Sequence, residues 1–267
     1  MLTEASSLLK KYFGYDSFRN GQAKIIEQVL QGIDTLGIMP TGGGKSICYQ
    51  IPAMIIPGVT LVISPLISLM KDQVDSLDQA GIPATFINSS LTASEVNDRL
   101  YDIQQGAYKL LYLAPERLES HGFIEDIRQL PVGLIAVDEA HCISQWGHDF
   151  RPSYLRIQSL AEQLNSNPVV LALTATATPR VQADIRQSLN IEDSHTVITG
   201  FERENLSFQV VKGQNKQKYI DAYVGKNNQE SGIIYCATRK TVDHLYERLQ
   251  QKGISVGRYH AGLSSTE

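Results

Sequence analysis

Cysteine is scarce in this 267-residue chain. There are three, Cys48, Cys142 and Cys236, far apart and without a C-x-x-C pair. That number and spacing argue against a disulfide framework and give a zinc site no support; they fit the reduced thiols of a cytoplasmic protein. No apolar run reaches the roughly 18 residues that a membrane-spanning helix needs. The first residues, MLTEASSLLKKYFGY, lack the basic stretch and apolar segment of a secretion signal. A basic surplus is missing too: 24 Lys+Arg face 28 Asp+Glu, for a net charge of −4. Many nucleic-acid-binding domains carry such a surplus, but a motor that grips phosphates through a local groove tolerates an acidic total. Internal repeats and low-complexity tracts are absent, and 42% apolar with 19% charged residues is the balance of an ordinary globular chain.

What is present is an alternation of short apolar strands with amphipathic helices, the pattern of a parallel α/β sheet. Continuous apolar runs predict buried strands at Thr35–Met39, Thr60–Ile63, Lys109–Leu113, Gly133–Val137 and Val169–Leu173. Helical spacing places Leu66, Leu69, Met70, Val74 and Leu77 on one face. Thr178-Pro179 is a helix start, a capping hydroxyl followed by proline. Residues 190–212 look extended, and a boundary near residue 208 divides a first domain, 1–207, from a second unit, 208–267. In the second unit a helix is expected before residue 225, strands at Gly232–Cys236 and near Ser255–Tyr259, and a helix carrying Val242, Leu245 and Leu249 on one face. About 60 residues is little for a self-sufficient domain, so the chain reads as truncated.

The strongest motif is Met39-Pro40-Thr41-Gly42-Gly43-Gly44-Lys45-Ser46, between a strand and a helix. Glycines let backbone N–H groups turn inward around phosphates, and the helix N-terminus adds partial positive charge. Lys45 would then reach the β- and γ-phosphates of ATP, and Ser46 would ligate Mg²⁺. The first glycine of the strict pattern is replaced by Met39. Asp138-Glu139-Ala140-His141 follows a buried strand. Paired carboxylates there can divide labour, Asp138 holding Mg²⁺ and Glu139 orienting and deprotonating water, although acidic residues also suit an ordinary helix start. A metal-ligand role for His141 lacks a second ligand nearby; a coupling role fits better.

Upstream, Gln22 offers a donor and an acceptor to an adenine edge, with Arg19 in support and Phe13 as a stacking ring. Equally, Phe13 and Phe18 could be core residues and Gln22 an exposed one. Residues Cys142–Tyr154 hold the only tryptophan, Trp146, with Phe150 and Arg151 close by. Such a loop suits stacking on splayed bases, or Trp146 and Phe150 simply anchor it. Thr174-Ala-Thr176-Ala-Thr178 can link the acid pair to the second unit through its hydroxyls. All these segments follow strand ends, the edge where open parallel sheets bind ligands.

In order and over nearly the whole chain, these motifs resemble the RecQ family of superfamily 2 DNA helicases. Those that match are F-G…F-R…Q at 13–22, M-P-T-G-G-G-K-S at 39–46, S-P-L-I-S-L-M-K-D-Q at 64–73, D-E-A-H at 138–141, Q-W-G-H-D-F-R-P at 145–152, A-L-T-A-T-A-T at 172–178, I-I-Y-C-A-T-R at 233–239 and Y-H-A-G-L at 259–263. The resemblance implies two RecA-like lobes and 3′-to-5′ DNA unwinding driven by ATP and Mg²⁺. Gln145 joins His141, Thr174 and Thr176 as a coupling group. Ser64, Lys71, Trp146, Phe150, Arg151, Arg239 and His260 would face single-stranded or partly duplex DNA. The family's later arginine and its zinc-binding and winged-helix parts find no counterpart before residue 267, so the expectation is a chain that binds MgATP and DNA, hydrolyses ATP poorly and does not unwind DNA alone. Competing readings are an RNA helicase, a nucleotide-regulated DNA-binding module without useful turnover, and a small-molecule kinase.

Overall fold

The computed structural model describes residues 1–200 and 205–264. Backbone packing divides the chain into two compact units, Met1–Glu202 and Arg203–Glu267. The first unit contains strands β1 (Thr35–Ile38), β2 (Val59–Ile63), β3 (Ala84–Ile87), β4 (Leu110–Leu113), β5 (Val132–Val137), β6 (Val169–Thr174) and β7 (Thr196–Ile198). Its helices are α1 (Leu2–Leu8), α2 (Gln22–Leu30), α3 (Ile47–Ile55), α4 (Ile67–Gln79), α5 (Ala93–Gln104), α6 (His121–Arg128), α7 (Ile157–Gln163) and α8 (Pro179–Leu189). The strands form one seven-stranded sheet in the order β3-β4-β2-β5-β6-β1-β7, and every pairing is parallel.

The unbroken apolar strands are explained by burial on both faces. Along β5, Ile135 and Val137 join one core cluster with Ile103 of α5, Ile127 of α6, Ile157 of α7 and Ile185 of α8. Leu134 and Ala136 point the other way, into a cluster with Ile25 of α2, Tyr49 of α3 and Met70 of α4. Alternate residues thus feed opposite cores, as the two-residue period of a strand requires.

The five strands expected in the first unit all form, with ends that differ by one residue where they differ. Two more were not marked: β3, only Ala84-Thr-Phe-Ile87, and β7, inside the segment read as a connector. Both are sheet edges and short, so neither produces a long apolar run. The phosphate-loop strand β1 is not the direct neighbour of β5, because β6 lies between them.

In the second unit, α9 (Lys216–Lys226) and α10 (Arg239–Gln251) form as expected, capped by Asn215 and Thr238. The expected strands at Gly232–Cys236 and Ser255–Tyr259 do not form: these described residues carry no strand pairing. Their side chains face solvent, Ile233 at 80%, Tyr235 at 91% and Tyr259 at 91% exposure. A strand persists only where a neighbour takes its N–H and C=O groups, and Leu249 is the one buried apolar residue among those described in this unit.

A test of this core is Ile135→Ala, which removes a fully buried side chain from the central strand. It should lower the unfolding free energy by about 2–5 kcal/mol, read from the urea midpoint at constant slope; an unmoved midpoint would mean that β5 is not central to the core.

Candidate active site

Four adjacent strands, β2, β5, β6 and β1, end at the same edge. Their ends deliver Ser64, Asp138, Thr174 and the 39–46 loop. Backbone bonds tie these ends to neighbouring strands: Ser64 N to Leu113 O of β4 at 3.1 Å, Asp138 N to Ile63 O at 2.9 Å and Met39 N to Thr174 O at 3.0 Å.

The phosphate loop turns on Gly42 and Gly44, both at positive φ. A Cβ on Gly43 would press on the Pro40 carbonyl, and one on Gly44 would collide with the Gln22 side-chain amide. The loop closes through Gly43 N to Pro40 O at 2.9 Å. Gln22 is not the exposed residue of the alternative reading but 3% exposed. Its Nε2 donates to Gly44 O at 2.9 Å and Gly43 O at 3.3 Å, and its Oε1 accepts from Arg19 N at 2.8 Å. The Arg19 guanidinium donates to Gly42 O and lies 5.8 Å from the Tyr15 ring centre. Gln22 and Arg19 therefore clamp the loop carbonyls. A cleft of about 450 Å³ opens beside them, lined by Phe13, Tyr15, Arg19, Gln22, Gly44 and Ser46. Phe13 also packs on the core, so the two readings of that ring are not exclusive.

Glu139 adopts the left-handed backbone conformation, φ 48 and ψ 47, which costs a residue with a side chain roughly 1–2 kcal/mol. Its surroundings hold it there. Glu139 N donates to Asp138 Oδ1 at 3.0 Å, Cys142 N to Glu139 O at 2.9 Å, and the buried Tyr154 hydroxyl to Asp138 O at 2.9 Å. The His141 Nδ1 lies 2.9 Å from Thr174 Oγ1 and 3.2 Å from Glu139 Oε2. Thr174 Oγ1 donates to Thr176 O at 3.2 Å, which leaves a lone pair for the imidazole. The expected coupling residues His141, Thr174 and Thr176 thus form one hydrogen-bonded row, whereas Gln145 is exposed. A second cleft, of about 430 Å³, is lined by Thr41, Leu66, Glu139, His141, His148 and Thr176.

The two carboxyls are driven apart electrostatically. Burial, then the charge of Glu139, pushes Asp138 up to about 6. The hydrogen bond from His141, aided by the Lys45 charge, holds Glu139 below the usual carboxylate range. Paired groups whose surroundings separate their titrations are a mark of sites that move protons or hold cations.

Of the residues expected to face DNA, Trp146 is 62% exposed and Lys71 is exposed on α4. Phe150 is half-buried. Ser64 is only 5% exposed, and what this segment presents to solvent is Leu66, Ile67, Ser68 and Leu69. Arg151 is tied down, donating to Pro65 O at 3.0 Å and paired with Asp149 at 3.2 Å. Arg239 and His260 belong to the second unit, where His260 Nε2 lies 3.0 Å from Asp243 Oδ1. Sequence reasoning missed Tyr154 and His148, whose ring stacks on His141 at 4.1 Å. Both stood inside the quoted loop, without a motif to assign them a task.

Residues 19–185 match the DEAD/DEAH box helicase family model. The chain belongs to that family. It is 57% identical over 265 residues to the ATP-dependent DNA helicase RecQ of Bacillus subtilis, covering 99% of this chain and 45% of that protein. It is 46% identical over 261 residues to the ATP-dependent DNA helicase RecQ of Haemophilus influenzae, covering 98% of this chain and 42% of the relative. This helicase-family chain therefore spans less than half the length of these relatives. The crystal structure of the DUF1998 helicase MrfA superposes with a TM-score of 0.67 at 18% identity, over 96% of this chain and 42% of that one, a likeness of fold alone. Among the described residues, no helix is long and apolar enough to cross a membrane.

The raised Asp138 carboxyl has a signed consequence. Between its ordinary value of 3.8 and about 6, the folded chain holds this proton more tightly than the unfolded chain does. Its contribution to stability therefore falls as pH rises through that window and stays unfavourable above it. Without divalent cation, Asp138→Asn should be more stable than the parent at about pH 7.5, by on the order of 2 kcal/mol, and the gap should close near about pH 4. Urea unfolding at both pH values checks this; a less stable variant at the higher pH would show the charge to be compensated.

Proposed function

We propose that this chain is the ATP-binding part of a RecQ-type DNA helicase that couples ATP hydrolysis to 3′-to-5′ strand separation. Residues 1–207 would act as the first RecA-like motor lobe and 208–267 as the start of the second. The observation that carries this reading is the gathering of phosphate loop, acid pair and Thr174 at the ends of four adjacent strands. The DNA specificity is supported by relatives named as DNA helicases.

The residues fit MgATP. The Gly43–Gly44 turn leaves space where a Cβ would meet the Pro40 carbonyl and the Gln22 amide. Ser46 and Asp138 offer the oxygen donors that a hard cation requires. MgATP would supply the cleavable phosphoanhydride bond. Around it, Lys45 would contact the β- and γ-phosphates and offset their charge, with the backbone N–H groups of Gly42–Gly44 beside it. Arg19, Gln22 and Phe13 would bound the base end. Glu139, kept ionised by His141, would orient the attacking water and take its proton at the carboxylate. The row Glu139–His141–Thr174–Thr176 would carry the nucleotide state outward. Exposed Trp146 and Lys71 would meet single-stranded DNA, Trp146 by stacking.

Binding separates these roles. Lys45→Ala should weaken MgATP binding by at least about tenfold while leaving single-stranded DNA affinity nearly unchanged. Glu139→Gln should retain MgATP binding and lose DNA-stimulated hydrolysis by a factor on the order of 10² or more. Titration with a fluorescent ATP analogue and a labelled oligonucleotide, beside a phosphate-release assay, reads all three. An Lys45→Ala chain that binds MgATP like the parent would sink the phosphate-loop assignment. Binding without any turnover by the parent would favour a nucleotide-regulated DNA-binding module.

A further inference from the structure

Helix α8 carries two side chains that no motif claims and that meet the aromatic loop. The Arg180 guanidinium carbon lies 3.6 Å from the centre of the Trp146 ring. One turn further along, Asp184 Oδ2 accepts the Ser144 hydroxyl at 2.5 Å. The same Ser144 oxygen accepts Trp146 N–H at 3.1 Å, so Ser144 joins the helix to the tryptophan backbone. The loop must turn tightly to arrive there: Gly147 N donates to Ser144 O at 2.9 Å. A Cβ on Gly147 would also press on the His141 carbonyl.

The helix that receives these contacts is firmly placed. Val181, Ile185 and Leu189 lie in the same core cluster as Cys142 and Ile143 of the loop's own base. Thr178 caps its N-terminus, accepting from Val181 N at 3.4 Å. Gln182 Nε2 donates to Ala177 O at 2.9 Å, fastening the Thr174–Thr178 segment to the helix. The contacts therefore form a closed circuit. From Glu139 it runs through His141 and Thr174 to Ala177 and α8, and returns through Asp184 and Arg180 to Ser144 and Trp146.

The geometry points to Arg180 and Asp184 as positioning residues that dock the aromatic loop on α8. Docking covers one face of Trp146 with a guanidinium, while the residue as a whole stays 62% exposed. Arg180 competes with a nucleobase for the tryptophan face it covers, since a planar cation and a base use the same π surface. Its consequence for DNA rests on the function proposed above: a base that takes the covered face must first displace Arg180, and that displacement reaches Glu139 through α8 and the threonine segment.

Trp146 is the only tryptophan of the chain, so its emission reports this contact without a label. Acrylamide quenching of the complete 267-residue chain, free of DNA and nucleotide, tests the docking. Arg180→Ala should lower the docked-to-undocked ratio about two- to five-fold, the effect of losing one exposed cation–π contact, and raise the quenching constant accordingly. Asp184→Asn should act in the same direction. Arg186→Ala, on the same helix but removing only an ion pair to Asp193 beyond its end, should leave quenching unchanged. If Arg180→Ala and Asp184→Asn quench like the parent, the docking role is overturned. An oligo-dT titration then separates docking from direct contact. The salt dependence of oligo-dT affinity should be unaltered by Arg180→Ala; a slope smaller by about 0.7 would make Arg180 a phosphate ligand instead and overturn the positioning role. If the parent tryptophan ignores oligo-dT altogether, the helicase reading fails while the quenching comparison still decides the docking.

Discussion

A parallel sheet covered on both faces has no room for polar chemistry within it. Its strands are apolar throughout because each side chain faces a helical layer. Functional groups can therefore collect only at the strand ends, where backbone carbonyls and N–H groups have already left the ladder. In this chain that constraint acts on β2, β5, β6 and β1 together. The short turns after these strands bring the phosphate loop, Asp138 and Thr174 to one edge. Every further feature of the site depends on that edge: the clamp of Gln22 on the loop carbonyls, the Tyr154 bond to Asp138 and the row through His141.

The site is built at some expense to the fold. Asp138 is a carboxyl pressed against a hydrophobic core and beside a second negative charge, which pushes its titration up to about 6. Glu139 is held in a backbone conformation that residues with side chains avoid. Neither arrangement stabilises the folded chain by itself. Both make sense for a pair of carboxylates that must stay close while Glu139 alone turns toward His141. Strain of this kind persists only where the surroundings over-determine it, as the bonds from Tyr154, Cys142 and His141 do here.

Elements with a long repeating signal were legible from residue types alone. The five strands expected in the first unit and the helices beginning at Ile47, Ile67 and Pro179 follow directly from apolar runs, spacing and caps. The phosphate loop and acid pair were legible because their chemistry dictates residue types at fixed spacing. Strand order was not, since the insertion of β6 between β1 and β5 is decided by packing of the whole sheet. β3 and β7, at four and three residues, are too short for periodicity to register. The second unit shows the opposite error. Ile233, Ile234 and Tyr235 have the composition of a strand, but composition alone does not provide a neighbour to pair with.

Gln22 illustrates why side-chain roles are the least legible layer. Its amide suits an adenine edge on chemistry alone, yet in the fold its donor and its acceptor are both committed, the donor to Gly43 and Gly44 and the acceptor to Arg19 N. The donor therefore braces the phosphate loop, while the acceptor fixes the turn that begins at Arg19. No spacing of residue types could have signalled this, because it arises from a contact between positions 21 and 22 residues apart in sequence that only the folded edge brings together.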